Sequence, residues 1–193
     1  MSTIFVKRYR MTLLLSEPPQ PAPPLPDGYV WMEWSRSLVT LHSETKHRAF
    51  QEEFDSLIFP ALGKYTGCLQ LMKDISAKHT FIADATWLLA YQGPTEIEYC
   101  GTIQGLGHTP QVGSIQNVGI TPAHRHRGLG KILVLKSIEG FRKFAFKSVF
   151  LEVTADNHKA VALYESIGFK VTRTMFRTID FHGRLPQLLA EDD

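Results

Sequence analysis

Cysteine, charge of one sign and long apolar runs are all scarce in this chain. Cys68 and Cys100 are the two cysteines among 193 residues, far apart and without metal-ligand spacing. Neither a disulfide framework nor a cysteine-held metal is expected, and a reducing cytoplasm is. Lys and Arg number 21 against 19 Asp and Glu, a formal net charge of +2, too small a surplus for a nucleic-acid footprint. No stretch approaches the roughly 20 apolar residues of a membrane-spanning helix. The early run Met11 to Leu15 follows Lys7, Arg8 and Arg10 and falls short of a secretory core of about 7–15 apolar residues. What is present is ordinary for a globular protein: 44% hydrophobic and 21% charged residues. A chain of this length buries roughly 70% of its unfolded surface, enough for one domain with its own core.

Three stretches divide the chain. Residues 1–26 read as an extension, in which Tyr9 to Leu15 forms an edge strand and the proline-rich 18–26 a stiff polyproline segment. That segment suits a spacer or a ligand for a proline-binding module. Residues 27–182 form the main domain and 183–193 a tail. Within the domain, strands are expected over Tyr29–Trp34, Thr86–Tyr91 and Glu98–Leu106, the last two as a hairpin around Gly93-Pro94. Helices are expected over Ser37–Phe50 and Glu52–Leu62, with helical spacing again over Cys68–Ser76. The second half then alternates: strand Ser114–Ile120, helix from about Gly130 to Phe146, strand Val149–Val153, helix Asn157–Ile167 capped by Gly168, strand Val171–Ile179. Strand, helix, strand in that order implies two parallel strands joined by a right-handed crossover.

The chemistry is concentrated between the first of those strands and its helix, in Arg125-His126-Arg127-Gly128-Leu129-Gly130-Lys131. Gly128 and Gly130 let the backbone turn without a Cβ in the way. The helix that starts there aims unpaired N–H groups and a partial positive charge into the turn, where a diphosphate is the natural guest. Arg125, Arg127 and Lys131 add full charges. No Gly-Lys-Ser/Thr ending is present, and Leu133 stands where a dinucleotide fingerprint needs its third glycine. Two readings of the loop remain: a cradle for the pyrophosphate of another cofactor, or a solvated turn capping a helix.

Arg125-x-x-Gly128-x-Gly130 after a strand, then Leu151-Glu152-Val153-Thr154-Ala155-Asp156-Asn157, then Ala160 to Phe169, resembles the GNAT superfamily of N-acetyltransferases. The likeness is specific over about 113–175. It implies an α/β (α+β) fold, a single domain whose mixed central sheet of about six to seven strands carries helices on both faces and splays its parallel central strands. It further implies acetyl-CoA as cofactor and a small-molecule or peptide amine as acceptor, without nucleic acid or membrane, in a monomer or homodimer. On this resemblance Gly119 marks a bulge, the backbone of Val118, Gly119 and Ile120 holds the pantetheine arm, and Arg125, His126, Arg127, Gly128, Leu129, Gly130 and Lys131 hold the pyrophosphate. Asn157, Ala160 and Tyr164 share one helix face; Asn157 reads as the helix N-cap, as a partner of the pantetheine arm, or as both, and Tyr164 reads as a half-buried aromatic or, on the resemblance, as the general acid that protonates the leaving thiolate.

A base is harder to find. Many relatives place a carboxylate where this chain has Ser114, followed by Gln116 and Asn117. An acceptor amine of lowered pKa fits that arrangement, with Glu98 or Glu152 acting through water as an alternative. Cys100 reads as a small buried thiol, and His124, His126 and His158 as a ring around the phosphate end. Trp87 reads as core or as a wall of the acceptor cleft, and residues 36–80 as a lid. Two other functions are set against the enzyme: a non-catalytic acyl-CoA-binding module, and a basic-loop nucleic-acid binder that the low net charge disfavours.

Overall fold

The computed structural model describes residues 2–16, 18 and 20–181; the end of the domain at 182 and the tail 183–193 lie outside the described residues. Seven strands are assigned: β1 (Ser2–Leu14), β2 (Tyr29–Glu33), β3 (Phe81–Gln92), β4 (Ile97–Thr109), β5 (Val112–Ile120), β6 (Ser148–Thr154) and β7 (Lys170–Phe181). They form one sheet in the order β2-β3-β4-β5-β6-β1-β7. Helices are α1 (Val39–Phe50), the short α2 (Asp55–Ile58), α3 (Tyr65–Ser76), α4 (Leu129–Lys143) and α5 (His158–Ile167).

Alternation along the central strands separates two faces. Ile103, Ile115, Val149, Leu151 and Val153 turn toward α4 and α5, joining Leu133, Val134, Ile138, Phe141, Tyr164 and Ile167 in the main core. Each such large apolar side chain contributes roughly 1.5–3 kcal/mol on burial. The intervening residues Thr102, Gln104, Glu152 and Thr154 face the other way, toward α1 and the segment behind it. α4 starts after Gly128 and ends at Phe144–Ala145, where Ala145 takes a positive φ of 54°. α5 is capped as its sequence suggests: the Asn157 side chain accepts from Ala160 N at 3.0 Å, and Gly168 closes the helix at φ 107°.

Three expectations need correction. The N-terminal strand is no edge: β1 runs from Ser2 and lies between β6 and β7, antiparallel to both. Short range patterning cannot report that placement, because strand order is fixed by partners more than 130 residues away. The helix expected over Glu52–Leu62 shrinks to the four residues of α2, since Pro60 and the turns around it break the ladder. The bulge in β5 falls at Asn117–Val118: Thr102 pairs Gly119 and Gln104 pairs Gln116, with Asn117 at φ 52°. Gly119 has a different reason to be glycine, because a Cβ there would meet Phe50 at 2.7 Å and Ala49 at 2.9 Å. Of the two readings of Trp87, the core one holds: it is buried in the main core, edge-on to Trp31 with Lys136 of α4 over its ring.

The proline-rich segment lies against the body. Ala22 packs on the main core and Leu25 on the smaller cluster of Tyr29, Leu89, Cys100 and Leu129.

Candidate active site

β5 and β6 run parallel for three residue pairs, Val112–Ser148, Gly113–Val149 and Ser114–Phe150, and then separate. β5 continues to Ile120 and β6 to Thr154 without pairing to each other. The opening is a cleft of about 840 Å³. Val118, Gly119 and Ile120 line one side of it, Asn157, Ala160, Leu163 and Tyr164 another, and the 125–130 turn its mouth.

The turn has the form the sequence suggests. His126 and Gly128 both take positive φ, 61° and 75°, around Arg127, a backbone arrangement that gathers N–H groups into a concave nest. No side chain caps the first turn of α4, so its N–H groups meet whatever enters the cleft. A Cβ built on Gly128 meets nothing within 4 Å; the space beside that backbone is open. These three observations fit a diphosphate, as expected for a coenzyme A pyrophosphate.

The basic side chains of the turn behave less uniformly. Arg125 does not aim a free guanidinium at the cleft: Nε donates to Ile120 O at 3.1 Å, Nη2 to Ala49 O at 3.0 Å, and Nη1 lies 2.6 Å from Glu53 Oε1. It is a strut between the end of α1 and the turn. Arg127 interacts with the Tyr29 hydroxyl, and neither it nor Lys131 is among the cleft-lining residues. His124 also belongs to a built cluster, with Nδ1 2.8 Å from the Tyr29 hydroxyl and Nε2 3.2 Å from Glu98 Oε2, which occupies Glu98 and fixes the entry to the turn. His124 and His126 line the cleft and His158 does not.

Tyr164 lines the cleft and is buried, its ring edge-on to Phe169. Burial, then the charge of Asp55, push its hydroxyl well above the ordinary tyrosine range, with Arg8 partly opposing them. It therefore keeps its proton and has an O–H to donate. Cys100 is fully buried, its Sγ directed at Leu89 O at 3.4 Å. Burial and Glu98 push its thiol up to about 12, which removes it as a nucleophile. Glu152 is held by Arg10 at 2.9 Å. Among the described residues no group of three or more His, Cys, Asp or Glu side chains is arranged to hold a metal, and no helix is long and apolar enough to cross a membrane.

The sequence reading missed the opposite wall. Ala49, Phe50, Glu53, Phe54 and Asp55 line the cleft from the end of α1 and the start of α2, and Thr154 and Asp156 from the end of β6. Arg8 of β1 stands behind them. A lid over 36–80 was expected as a region, but no local signal marks which of its side chains reach the opening.

Residues 30–169 match the family model described as the acetyltransferase (GNAT) family. A mycothiol acetyltransferase of Renibacterium salmoninarum is 47% identical over 58 residues, 30% of this chain and 17% of the relative. The N-alpha-acetyltransferase RimI of Mycobacterium tuberculosis is 38% identical over 82 residues, 42% of this chain and 49% of the relative. The chain thus spans half or less of the length of each. Among solved structures, a GCN5-related N-acetyltransferase from Sphaerobacter thermophilus superposes with a TM-score of 0.70 at 20% identity, covering 91% of this chain and 51% of that one, which is a likeness of fold.

Proposed function

Because this chain belongs to the acetyltransferase (GNAT) family, we propose that it transfers an acetyl group from acetyl-CoA to a primary amine by direct attack in a ternary complex. One observation carries the reading. The β5–β6 ladder stops after Ser114–Phe150, and the slot it leaves holds both the uncapped start of α4 and the Tyr164 side chain. That arrangement supports pyrophosphate binding and proton donation within one cleft.

Acetyl-CoA supplies the activated thioester; the chain supplies position and protons. The backbone of 126–130 receives the pyrophosphate, and the free edge of β5 at Val118–Ile120 pairs with the pantetheine arm. Asn157 spends its side-chain oxygen on the Ala160 N–H, so its part is to order the helix start beside that arm. Tyr164 donates toward the sulfur as it leaves. The acceptor enters between that point and the Phe50–Asp55 wall. It must arrive with its nitrogen neutral or lose a proton in the cleft, since a lysine-like amine near pKa 10.4 is neutral only about once in 10³ molecules at pH 7. The two relatives named above point to a small-molecule amine or a peptide amine. Two buried, unpaired cysteines fit a reducing cytoplasm.

The test is release of free thiol from acetyl-CoA across a panel of amines, small molecules and peptides together, with products read by mass shift. Thiol release that tracks one acceptor class supports the reading. Tight CoA binding with no turnover on any amine would overturn it.

A further inference from the structure

Arg8 lies outside the segment that the acetyltransferase family model covers, yet it is nearly the most buried charge near the cleft, 4% exposed. Its environment is specific. β1 pairs with β6 in a register that sets Arg8 directly opposite Thr154. Arg8 Nη1 donates to the Thr154 hydroxyl at 2.8 Å and to Asp55 Oδ1 at 3.2 Å, and the Thr154 hydroxyl in turn donates to the same Asp55 oxygen at 2.8 Å. Nη2 reaches Glu152 O at 3.3 Å. The triangle is closed, and each corner comes from a different part of the chain.

Asp55 and Phe59 sit on the loop between α1 and α3 that forms the cleft's far wall. The Phe59 ring lies between two guanidinium groups, Arg8 at 4.9 Å and Arg177 of β7 at 4.7 Å. Regular helix in this segment is limited to the four residues of α2, and its further backbone hydrogen bonds, such as Glu53 N to Phe50 O and Leu62 N to Phe59 O, are local turns that shape the segment without tying it to the sheet. Asp55 and Thr154 both line the cleft with Tyr164, and the Asp55 side chain is 25% exposed. A buried guanidinium retains its charge and demands a partner, so wherever β1 goes, Asp55 must follow.

We propose that Arg8 is a positioning residue for the acetyl transfer inferred above: through Asp55 and Phe59 it pins the 51–64 segment against the end of β6, setting the acceptor wall at a fixed distance from Tyr164. The role rests on that functional reading. It also gives the N-terminal strand a task inside the active site of the same chain, where the family segment by itself would leave Thr154 and Asp55 without their cation.

The experiment uses the full chain with Arg8→Met, Asp55→Asn, the double variant, and Arg8→Ala. Hydrogen exchange is measured over 51–64, and thiol release is measured with the best amine of the panel. Expected are exchange at amides of 54–60 that is about tenfold faster in each single variant, and kcat lower by about 10- to 100-fold with KM for acetyl-CoA within about threefold. The double variant should fall no lower than the worse single one, as two residues acting through one contact require. Added guanidinium ion should recover part of the turnover of Arg8→Ala and none of that of Asp55→Asn, which a general loss of folding would not reproduce. Wild-type kcat in Arg8→Met, unchanged exchange at 54–60, or additive losses in the double variant would each overturn the proposal. If the wild type turns over no amine, acetyl transfer is what fails and the positioning role falls with it, while the exchange data still decide whether Arg8 pins the segment.

Discussion

The two walls of the cleft are built on opposite principles. The wall of β5 and the 125–130 turn presents backbone: unpaired N–H groups at the start of α4, left-handed residues at His126 and Gly128 and a strand edge freed by divergence, with α5 adding the Tyr164 side chain. The facing wall, Ala49 to Asp55, is held by side chains: Arg125 to Glu53 and Ala49 O, and Arg8 to Asp55. A backbone wall suits a ligand that never changes, because it tolerates almost any side chain nearby. A wall of side chains can be altered residue by residue, which suits the variable partner of the reaction. Behind it α1 carries Lys46, fully buried with the Met72 sulfur at 3.8 Å as its hydrogen-bond partner, where Arg8 has a carboxylate and a hydroxyl. Burial lowers the Lys46 pKa to about 7, so this amine gives up its proton far more readily than an exposed lysine does.

The contrast can be broken most sharply at Gly128. CoA at 100 times its dissociation constant should stabilise the chain by about 2.7 kcal/mol. Gly128→Glu should abolish the melting shift by putting a carboxylate where the diphosphate rests. Gly128→Ala is the control: it carries the same strain at φ 75° but fills open space, so it should keep most of the shift. Equal loss in both would trace the effect to strain rather than to the anion site. Next in size, Tyr164→Phe should keep the CoA shift and lower kcat about 100-fold or more; unchanged turnover would remove the hydroxyl from the chemistry.

The Lys46 contrast predicts a pH effect of known sign. Its folded pKa near 7 lies below the unfolded value of 10.5, so between those limits the unfolded chain binds more protons and stability rises with pH. Lys46→Met should therefore be more stable than wild type at and below pH 7. Its advantage should shrink as pH rises toward 10.5, by at most about 1.4 kcal/mol per unit. Denaturant melts of both at pH 6, 7, 8 and 9 check this, and a constant difference would refute the buried neutral amine. Smallest, Arg125→Met removes the strut between the walls. It should cost about 1–2 kcal/mol of stability while changing CoA affinity less than Gly128→Glu does. An equally large loss of CoA binding would return Arg125 to the role of a phosphate ligand.

Legibility in the sequence followed the same division. The turn 125–130, the helix it opens, the Asn157 and Gly168 caps and the placing of Tyr164 two turns after Asn157 were all readable. Each depends on residues within about two helical turns of one another and on backbone rules that hold in any fold. The bulge was misplaced by two residues because glycine was taken as its marker, whereas Asn117 adopts the left-handed turn and Gly119 makes room for Phe50. Asp55 and Arg8 carried no signal. An aspartate in a loop and an arginine among Lys7, Arg8 and Arg10 look like solvated surface until the strands are ordered.

The sequence by itself thus determined the local machine, a strand, a glycine turn and a helix whose free N–H groups await an anion, because hydrogen-bond geometry over a few consecutive residues is enough to specify it. Only the tertiary structure decided what faces that machine. Inserting β1 between β6 and β7 brings Arg8 to Asp55, 47 residues on, and to Thr154, 146 residues on. Pairings at such separation are fixed by which strand lies beside which, a choice made by burial of the whole sheet and written in no single stretch of the chain.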